Sequence, residues 1–325
     1  VQPFQSRADD APQLARAAQA LREAQQVVLC THISPDPDGI GSELALAHAL
    51  HAMGKRARIV NVDGCPRICR GLVGADGIER WRKEALEQAD LVVALDVATK
   101  RRLGWPEGFG LSAPLLNIDH HRSNELFGQI NWVDPAYPAT GAMVFDLLFA
   151  LGVTIDAPMA DALYLALMAD TNGFRARISP SVHRMAASLI EAGAQPARLA
   201  RTLFGSRRVS SARLLGALLA KMTLRDQGRS AWLIADAALV QQLGADWEDF
   251  EGIVEQALAI EGVEVAVLLR PLEDGCYKAS LRSWGIDVGS LAARFGGGGH
   301  PQAAGCAIAS DAIPALQQAV SALLA

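Results

Sequence analysis

The segment VVLCTHISPDPDGIGSELALAHALHAM, residues 27–53, passes from a β-branched apolar run into a loop of acids, Pro and Gly, and then into apolar residues at helical spacing. Its reading decides the fold: a buried strand over VVLCTHI (27–33), a turn, and a helix from Ser42 to Met53. Upstream, Leu14, Ala17, Ala18 and Leu21 repeat at helical spacing between Pro12 and Gln26. Downstream, ARIVNVD (57–63), DLVVALDV (90–97) and APLLNIDHH (113–121) read as further strands. Each is apolar on both faces, as central parallel strands are. Alternating strands and helices predict an α/β fold around a parallel sheet, with its ligand site outside the carboxyl ends of the strands.

Beyond residue 140 the pattern turns helical, through TGAMVFDLLFALG (140–152), MADALYLALMAD (159–170), PSVHRMAASLIEAG (180–193) and ARLLGALLAKM (212–222). Strands resume at RSAWLIAD (229–236), VEVAVLLRPL (263–272), CYKASLRSW (276–284) and AGCAIAS (304–310), with helices at EDFEGIVEQALAIEG (248–262) and AIPALQQAVSALLA (312–325). This change of grammar predicts a catalytic domain over 1–205, a helical connector over 206–224 and a smaller α/β domain over 225–325. The active site is expected in the cleft between the two domains. Arg207 and Arg208 read as a solvated pair in the connector.

A length of 325 residues, half of them hydrophobic and 20% charged, suits two globular domains and excludes disorder as the main state. The formal charge of −5 argues against a broad basic face for long nucleic acid. Five Cys do not make a secreted disulfide framework, so a reducing, cytoplasmic setting is expected. The opening VQPFQSRADDAP has no basic start followed by an apolar block. No run approaches the roughly 18 apolar residues of a membrane span, so no membrane partner is expected.

Acids and imidazoles collect where the strands end. VVLCTHI runs into His32, Asp36 and Asp38; LVVALD ends on Asp96; PLLNID ends on Asp119, His120 and His121. Asp170 closes the apolar helix YLALMA. Taken singly, an Asp after a strand is an ordinary cap or turn residue. Together, these groups converging on one sheet edge are what two divalent cations sharing a carboxylate and a water require. Cys65 and Cys69 in CPRIC have no second pair nearby and read as ordinary thiols. In the second half, Lys278, Ser280 and Arg282 alternate along one strand face. The GGGGH run (296–300) can bring backbone N–H groups close to an anion.

The strings THISPDPDGIGS, LDV, NIDHH and MADTNGF resemble, in order and spacing, the four phosphoesterase motifs of the DHH family, and GGGGHPQAAG resembles the signature loop of the DHH-associated domain. The likeness is greatest to the compact two-domain subgroup that degrades short oligoribonucleotides and dephosphorylates 3'-phosphoadenosine 5'-phosphate. By this resemblance His32, Asp36 and Asp96 would hold one cation, and Asp38, Asp96, His120 and Asp170 a second, with Asp96 bridging. Asp119 would orient a ligand imidazole, and His121 would stand nearest the substrate phosphate or leaving oxygen. Arg282, Gly298, Gly299 and His300 would bind the distal phosphate or base. Carboxylate and imidazole ligands suit several divalent metals, and the resemblance tips the choice to Mn(II). One departure is Pro37, where many relatives carry Gly between the two acids of the first motif.

The expected partner is therefore a short RNA or nucleotide substrate; a homodimer is left open. Hydrolysis of cyclic di-AMP or its linear product pApA is the nearest alternative. A family II pyrophosphatase would end in a Ser-Arg-Lys-Lys loop that is absent from this sequence. A RecJ-type exonuclease would need a longer chain and a basic track. A non-catalytic nucleotide sensor would be easier to hold if a metal ligand were missing.

Overall fold

The computed structural model describes residues 11–205, 207–272 and 275–325, so the opening ten residues and Ser206, where the connector was expected to begin, lie outside the described residues. The chain divides into two compact units, residues 1–206 and 207–325.

The first unit carries β1 (Gln26–Cys30), β2 (Arg56–Asn61), β3 (Glu79–Arg80), β4 (Leu91–Leu95), β5 (Leu115–Asp119) and β6 (Ile130–Val133). Its helices are α1 (Ala11–Glu23), α2 (Pro37–Ala52), α3 (Lys83–Leu86), α4 (Thr140–Leu151), α5 (Ala157–Asp170), α6 (Pro180–Glu191) and α7 (Pro196–Phe204). The strands are all parallel, in the order β3-β2-β1-β4-β5-β6. The chain leaves β1 toward β2 and β3, then returns to place β4 on the other side of β1. Strand order thus reverses between β1 and β4, the kind of switch point where the crevices of open α/β sheets form.

Period-two alternation sends Val27 and Leu29 to one face of the sheet and Val28 and Cys30 to the other, and both faces are covered. The larger core packs Leu29, Val93 and Leu116 under α1, α2, α4 and α5; the smaller sets Val28, Val92 and Leu115 against Trp81, Trp105 and Phe109. Helix α2 is buried from Asp38 through Ala47, as a helix apolar all round must be. It crosses α5 so closely at Gly41 that a Cβ there would stand 2.4 Å from the Ala162 carbonyl oxygen.

This helix starts five residues before the expected Ser42. The Asp36 carboxylate accepts hydrogen bonds from the Asp38 and Gly39 N–H groups, at 2.9 and 3.1 Å, and so caps it. Pro37 then occupies the first turn, where its fixed φ suits a helix and its missing N–H would be unpaired anyway. The proline that departs from the familiar motif is a helix start.

The second unit comprises α8 (Val209–Ala220), β7 (Thr223–Arg225), β8 (Ser230–Ile234), α9 (Ala237–Leu243), α10 (Ile253–Leu258), β9 (Val265–Pro271), β10 (Tyr277–Ser283), α11 (Val288–Arg294), β11 (Gly298–His300), β12 (Ala303–Ile308) and α12 (Ile313–Leu323). Its sheet runs β11-β12-β10-β9-β8-β7 and is antiparallel except for the β8–β9 pair. Helices α11 and α12 cover one face, and α8 and α10 the other.

Three expectations change here. The helix read over 248–262 is a single turn at Trp247–Phe250 followed by α10, because Gly252 adopts φ +70° between them. The glycine run is in part a strand: Gly298, Gly299 and His300 pair with Gly305, Ala304 and Ala303 of β12. Arg207 and Arg208 are tied down: Arg207 donates to the Glu251 and Gly252 carbonyls, and Arg208 to Asp246 and Asp249.

Candidate metal centre

Chain geometry delivers each expected ligand of the first unit to one sheet edge. His32 follows β1 and Asp96 follows β4, the two strands that flank the switch point; Asp119, His120 and His121 close β5. Asp36 and Asp38 stand at the start of α2, and Asp170 ends α5. Asp96 holds φ +61°, a left-handed conformation that Asp tolerates better than most residues and that turns its side chain at the strand end.

Around Asp96 the imidazoles close in. His32 Nε2 lies 3.6 Å from both Asp36 Oδ2 and Asp96 Oδ2. His120 Nε2 lies 3.5 Å from Asp96 Oδ1, 3.7 Å from Asp38 Oδ2 and 3.2 Å from Asp170 Oδ2. Most of these gaps exceed the 2.7–3.2 Å of an N–H···O hydrogen bond, so the groups face a common centre rather than one another. Asp96 is shared by three sets whose ligand atoms lie within 4.8 Å of one another: with His32 and Asp36, with Asp38 and His120, and with Asp119 and His121. Asp170 Oδ2 is buried without a well-aligned hydrogen bond, although Arg177 Nη2 stands 3.0 Å away.

The carboxylates are held from behind. Asp38 accepts from the Thr140 and Gly141 N–H groups, at 2.7 and 2.8 Å, and so sits at the positive end of α4. The Thr140 hydroxyl donates to Asp96 Oδ1 at 3.0 Å. Asp119 stands within 2.7 Å of His121 Nδ1 through one oxygen and accepts from Asn124 Nδ2 at 2.6 Å through the other.

Five acids in so little space dominate the electrostatics. Burial alone would lower the His32 pKa, yet Asp36 and Asp96 overcome it and raise it to about 10. His120 is likewise raised well above its ordinary value despite burial, chiefly by Asp170 and Asp96. Burial, with Asp96 and Asp170 nearby, raises Asp38. Asp96 itself is held far down, against its burial, by His120 and His32. A centre that retains protons on two imidazoles in order to balance its carboxylates is one that positive charge stabilises. Carboxylate and imidazole donors grouped in this way could hold divalent cations.

Three neighbours escaped the sequence reading. Arg102 backs the cluster, its Nη2 3.0 Å from His32 Nδ1 and its carbonyl accepting from the Ile33 N–H at 2.8 Å. Arg177 stands beside Asp170, and Asn124 beside Asp119. Each sits three to seven residues after a motif acid or His, a spacing that carries a signal only once the loop paths are known.

Of the six expected residues of the second unit, five fall on one face of its sheet, and Gly299, paired with Ala304, has the opposite parity. Lys278, Ser280 and Arg282 alternate along β10, and register sets Arg282 beside Ala303 and His300, and Ser280 beside Gly305 and Gly298. Gly299 has φ +136°, and a Cβ there would lie 2.5 Å from the Ala303 carbonyl oxygen, so this position requires glycine. Arg282 Nε donates to Glu255 Oε1 of α10 at 2.8 Å.

Comparison with known proteins agrees with this architecture. The family model for the DHH family, N-terminal domain, matches residues 26–167, and that for the DHHA1 domain matches residues 232–325. A bifunctional oligoribonuclease and PAP phosphatase from Thermus thermophilus is 38% identical over 292 residues, covering 87% of this chain and 84% of that protein. The protein of the same description from Bacillus subtilis is 25% identical over 291 residues, covering 87% and 90%. Among solved structures, an exopolyphosphatase-related protein from Bacteroides fragilis superposes with a TM-score of 0.86 at 24% identity, covering 97% of this chain and 96% of that one. RecJ from Thermus thermophilus in complex with Mn2+ shares the fold with a TM-score of 0.55 at 16% identity, covering 96% and 54%. On its motifs, its two matched domains and this degree of identity, the chain belongs to the DHH family of phosphoesterases, with a C-terminal DHHA1 domain.

Proposed function

We propose that this chain is a phosphoesterase using two divalent cations, Mn(II) by preference, that hydrolyses RNA dinucleotides and slightly longer oligomers to mononucleotides and removes a phosphate from 3'-phosphoadenosine 5'-phosphate. The observation that carries this reading is the convergence of His32, Asp36, Asp38, Asp96, His120 and Asp170 at the switch point of the first sheet. The names of relatives that match most of the chain, one of them 38% identical, support the substrate class.

His32, Asp36 and Asp96 would hold one cation, and Asp38, Asp96, His120 and Asp170 the other. Bound there, such cations neutralise charge developing on a phosphoryl group and lower the pKa of a water that can attack phosphorus. The remaining work belongs to the side chains. Asp119, steadied by Asn124, would fix the His121 ring through Nδ1, and His121 would serve the leaving oxygen. The Thr140 and Gly141 amides and the Thr140 hydroxyl fix Asp38 and Asp96 so that their oxygens need not reorganise. In the second unit, Lys278, Ser280, Arg282, Gly298, Gly299 and His300 would grip the part of the nucleotide that does not react.

A panel of pApA, pGpG, longer RNA, cyclic di-AMP, 3'-phosphoadenosine 5'-phosphate and pyrophosphate, run with Mn(II) and with chelator, tests this reading. Turnover should be greatest on the RNA dinucleotides, present on 3'-phosphoadenosine 5'-phosphate and abolished by chelator. Preference for pyrophosphate, or turnover undiminished by chelator, would contradict it.

A further inference from the structure

Behind the His32 end of the cluster lies a buried polar chain that the proposed chemistry does not use. The parallel ladder between β1 and β2 runs from the Gln26–Arg56 pair to the Leu29–Ile59 pair and then stops. Beyond it the Thr31 N–H is taken by a side chain, Asn61 Oδ1, at 2.9 Å. The Asn61 amide is fixed in turn, because its Nδ2 donates to Glu43 Oε2 at 2.8 Å. Glu43 on α2 and Asn61 at the end of β2 are both fully buried.

An acid so placed invites explanation. Its second oxygen, Oε1, is buried without a hydrogen-bond partner, and burial pushes the carboxyl up to about 8 although the Asn61 amide works against this. It is thus mostly protonated near pH 7 and makes no salt bridge among the described residues, so its orphaned oxygen stays uncompensated. An apolar residue would serve the core better. What Glu43 does supply is an acceptor that sets which way the Asn61 amide faces, and so aims its oxygen at the backbone immediately before His32. Thr31 is also pinned from its other side: a Cβ at Gly39, in the first turn of α2, would lie 2.3 Å from Thr31 Oγ1.

We propose that Glu43 and Asn61 are positioning residues that hold the Thr31–His32 backbone in the conformation the His32, Asp36 and Asp96 cluster needs, releasing the chain from the sheet at that point. The inference rests on the reading of this cluster as a cation site. Partners of this kind, one step behind a metal ligand, change metal affinity by about 10- to 100-fold when removed.

The test is Mn(II) binding by calorimetry to the full chain, with thermal unfolding of the metal-free protein alongside. Glu43→Leu should weaken one of the two Mn(II) sites by about 10- to 100-fold, leave the other near wild type, and leave the unfolding midpoint of the metal-free protein unchanged or higher. Glu43→Gln, which keeps a neutral acceptor for Asn61, should restore wild-type binding. Asn61→Ala breaks the same link from the other side and should reproduce the selective loss even where Glu43→Leu fails to fold. Wild-type Mn(II) affinity in both Glu43→Leu and Asn61→Ala, or a Glu43→Gln variant as weak as Glu43→Leu, would overturn the proposal. Failure of the wild-type chain to bind Mn(II) would instead remove the cation-site reading itself.

Discussion

His32 shows most plainly what the cluster does to a single group. Without cations its pKa is raised to about 10, because Asp36 and Asp96 outweigh the burial that would lower it. An unfolded imidazole titrates near 6.5, so this group's contribution to the stability of the metal-free protein is fully present below about pH 6.5 and is lost as pH rises toward 10. A cation must expel the same proton in order to use Nε2. Apparent Mn(II) affinity should therefore rise with pH up to about 10, by up to about tenfold per unit for each proton released. Calorimetry in buffers of different ionisation enthalpy counts those protons at pH 7; an affinity independent of pH, with no proton release, would show that the imidazoles are not ligands.

At the scale of elements, α2 begins on the first-motif acids and crosses α5 closely at Gly41. Gly41→Ala would push a Cβ to 2.4 Å from the Ala162 carbonyl oxygen, which belongs to the backbone of α5 and cannot swing aside. Overpacking of this kind costs about 1–3 kcal/mol, so the midpoint in denaturant should fall, whereas an unchanged midpoint would mean that the two helices can separate at little cost. The strands bearing Asp96 and Asp119 were legible because they are continuous apolar runs that end on charge. The start of α2 was not, since Pro and two acids read as a turn until the Asp36 cap is seen closing on Asp38 and Gly39. Strand β3 is only two residues long, and β11 is built mostly of glycine; neither carries an apolar alternation to read. The eight expected residues of the first site were visible as residue types, while Arg102, Asn124 and Arg177 depend on loop paths that no periodicity encodes.

Across the whole molecule, each unit has cores of its own, so the groups that would bind cations and those that would grip the nucleotide belong to separately packed bodies. This separation predicts separable effects. Losing a charged hydrogen bond to a distal phosphate costs on the order of 2 kcal/mol, about thirtyfold in kcat/KM. Arg282→Ala should therefore impair dinucleotide cleavage by that factor and leave bis(p-nitrophenyl) phosphate, which lacks a distal group, nearly untouched. Equal loss on both would assign Arg282 to holding α10 through Glu255 instead. No helix among the described residues is long and apolar enough to cross a membrane.

The most direct measurement is Mn(II) content together with RNA dinucleotide hydrolysis in the wild type and in Asp96→Asn. Asparagine keeps the size of the side chain and tolerates the left-handed backbone at this position, so the change removes charge without removing shape. The wild type should bind two Mn(II) ions per chain and turn over; Asp96→Asn should remain folded, lose both ions and lose essentially all hydrolysis. A folded Asp96→Asn protein that keeps two Mn(II) ions, or that hydrolyses the dinucleotide at the wild-type rate, would contradict the account.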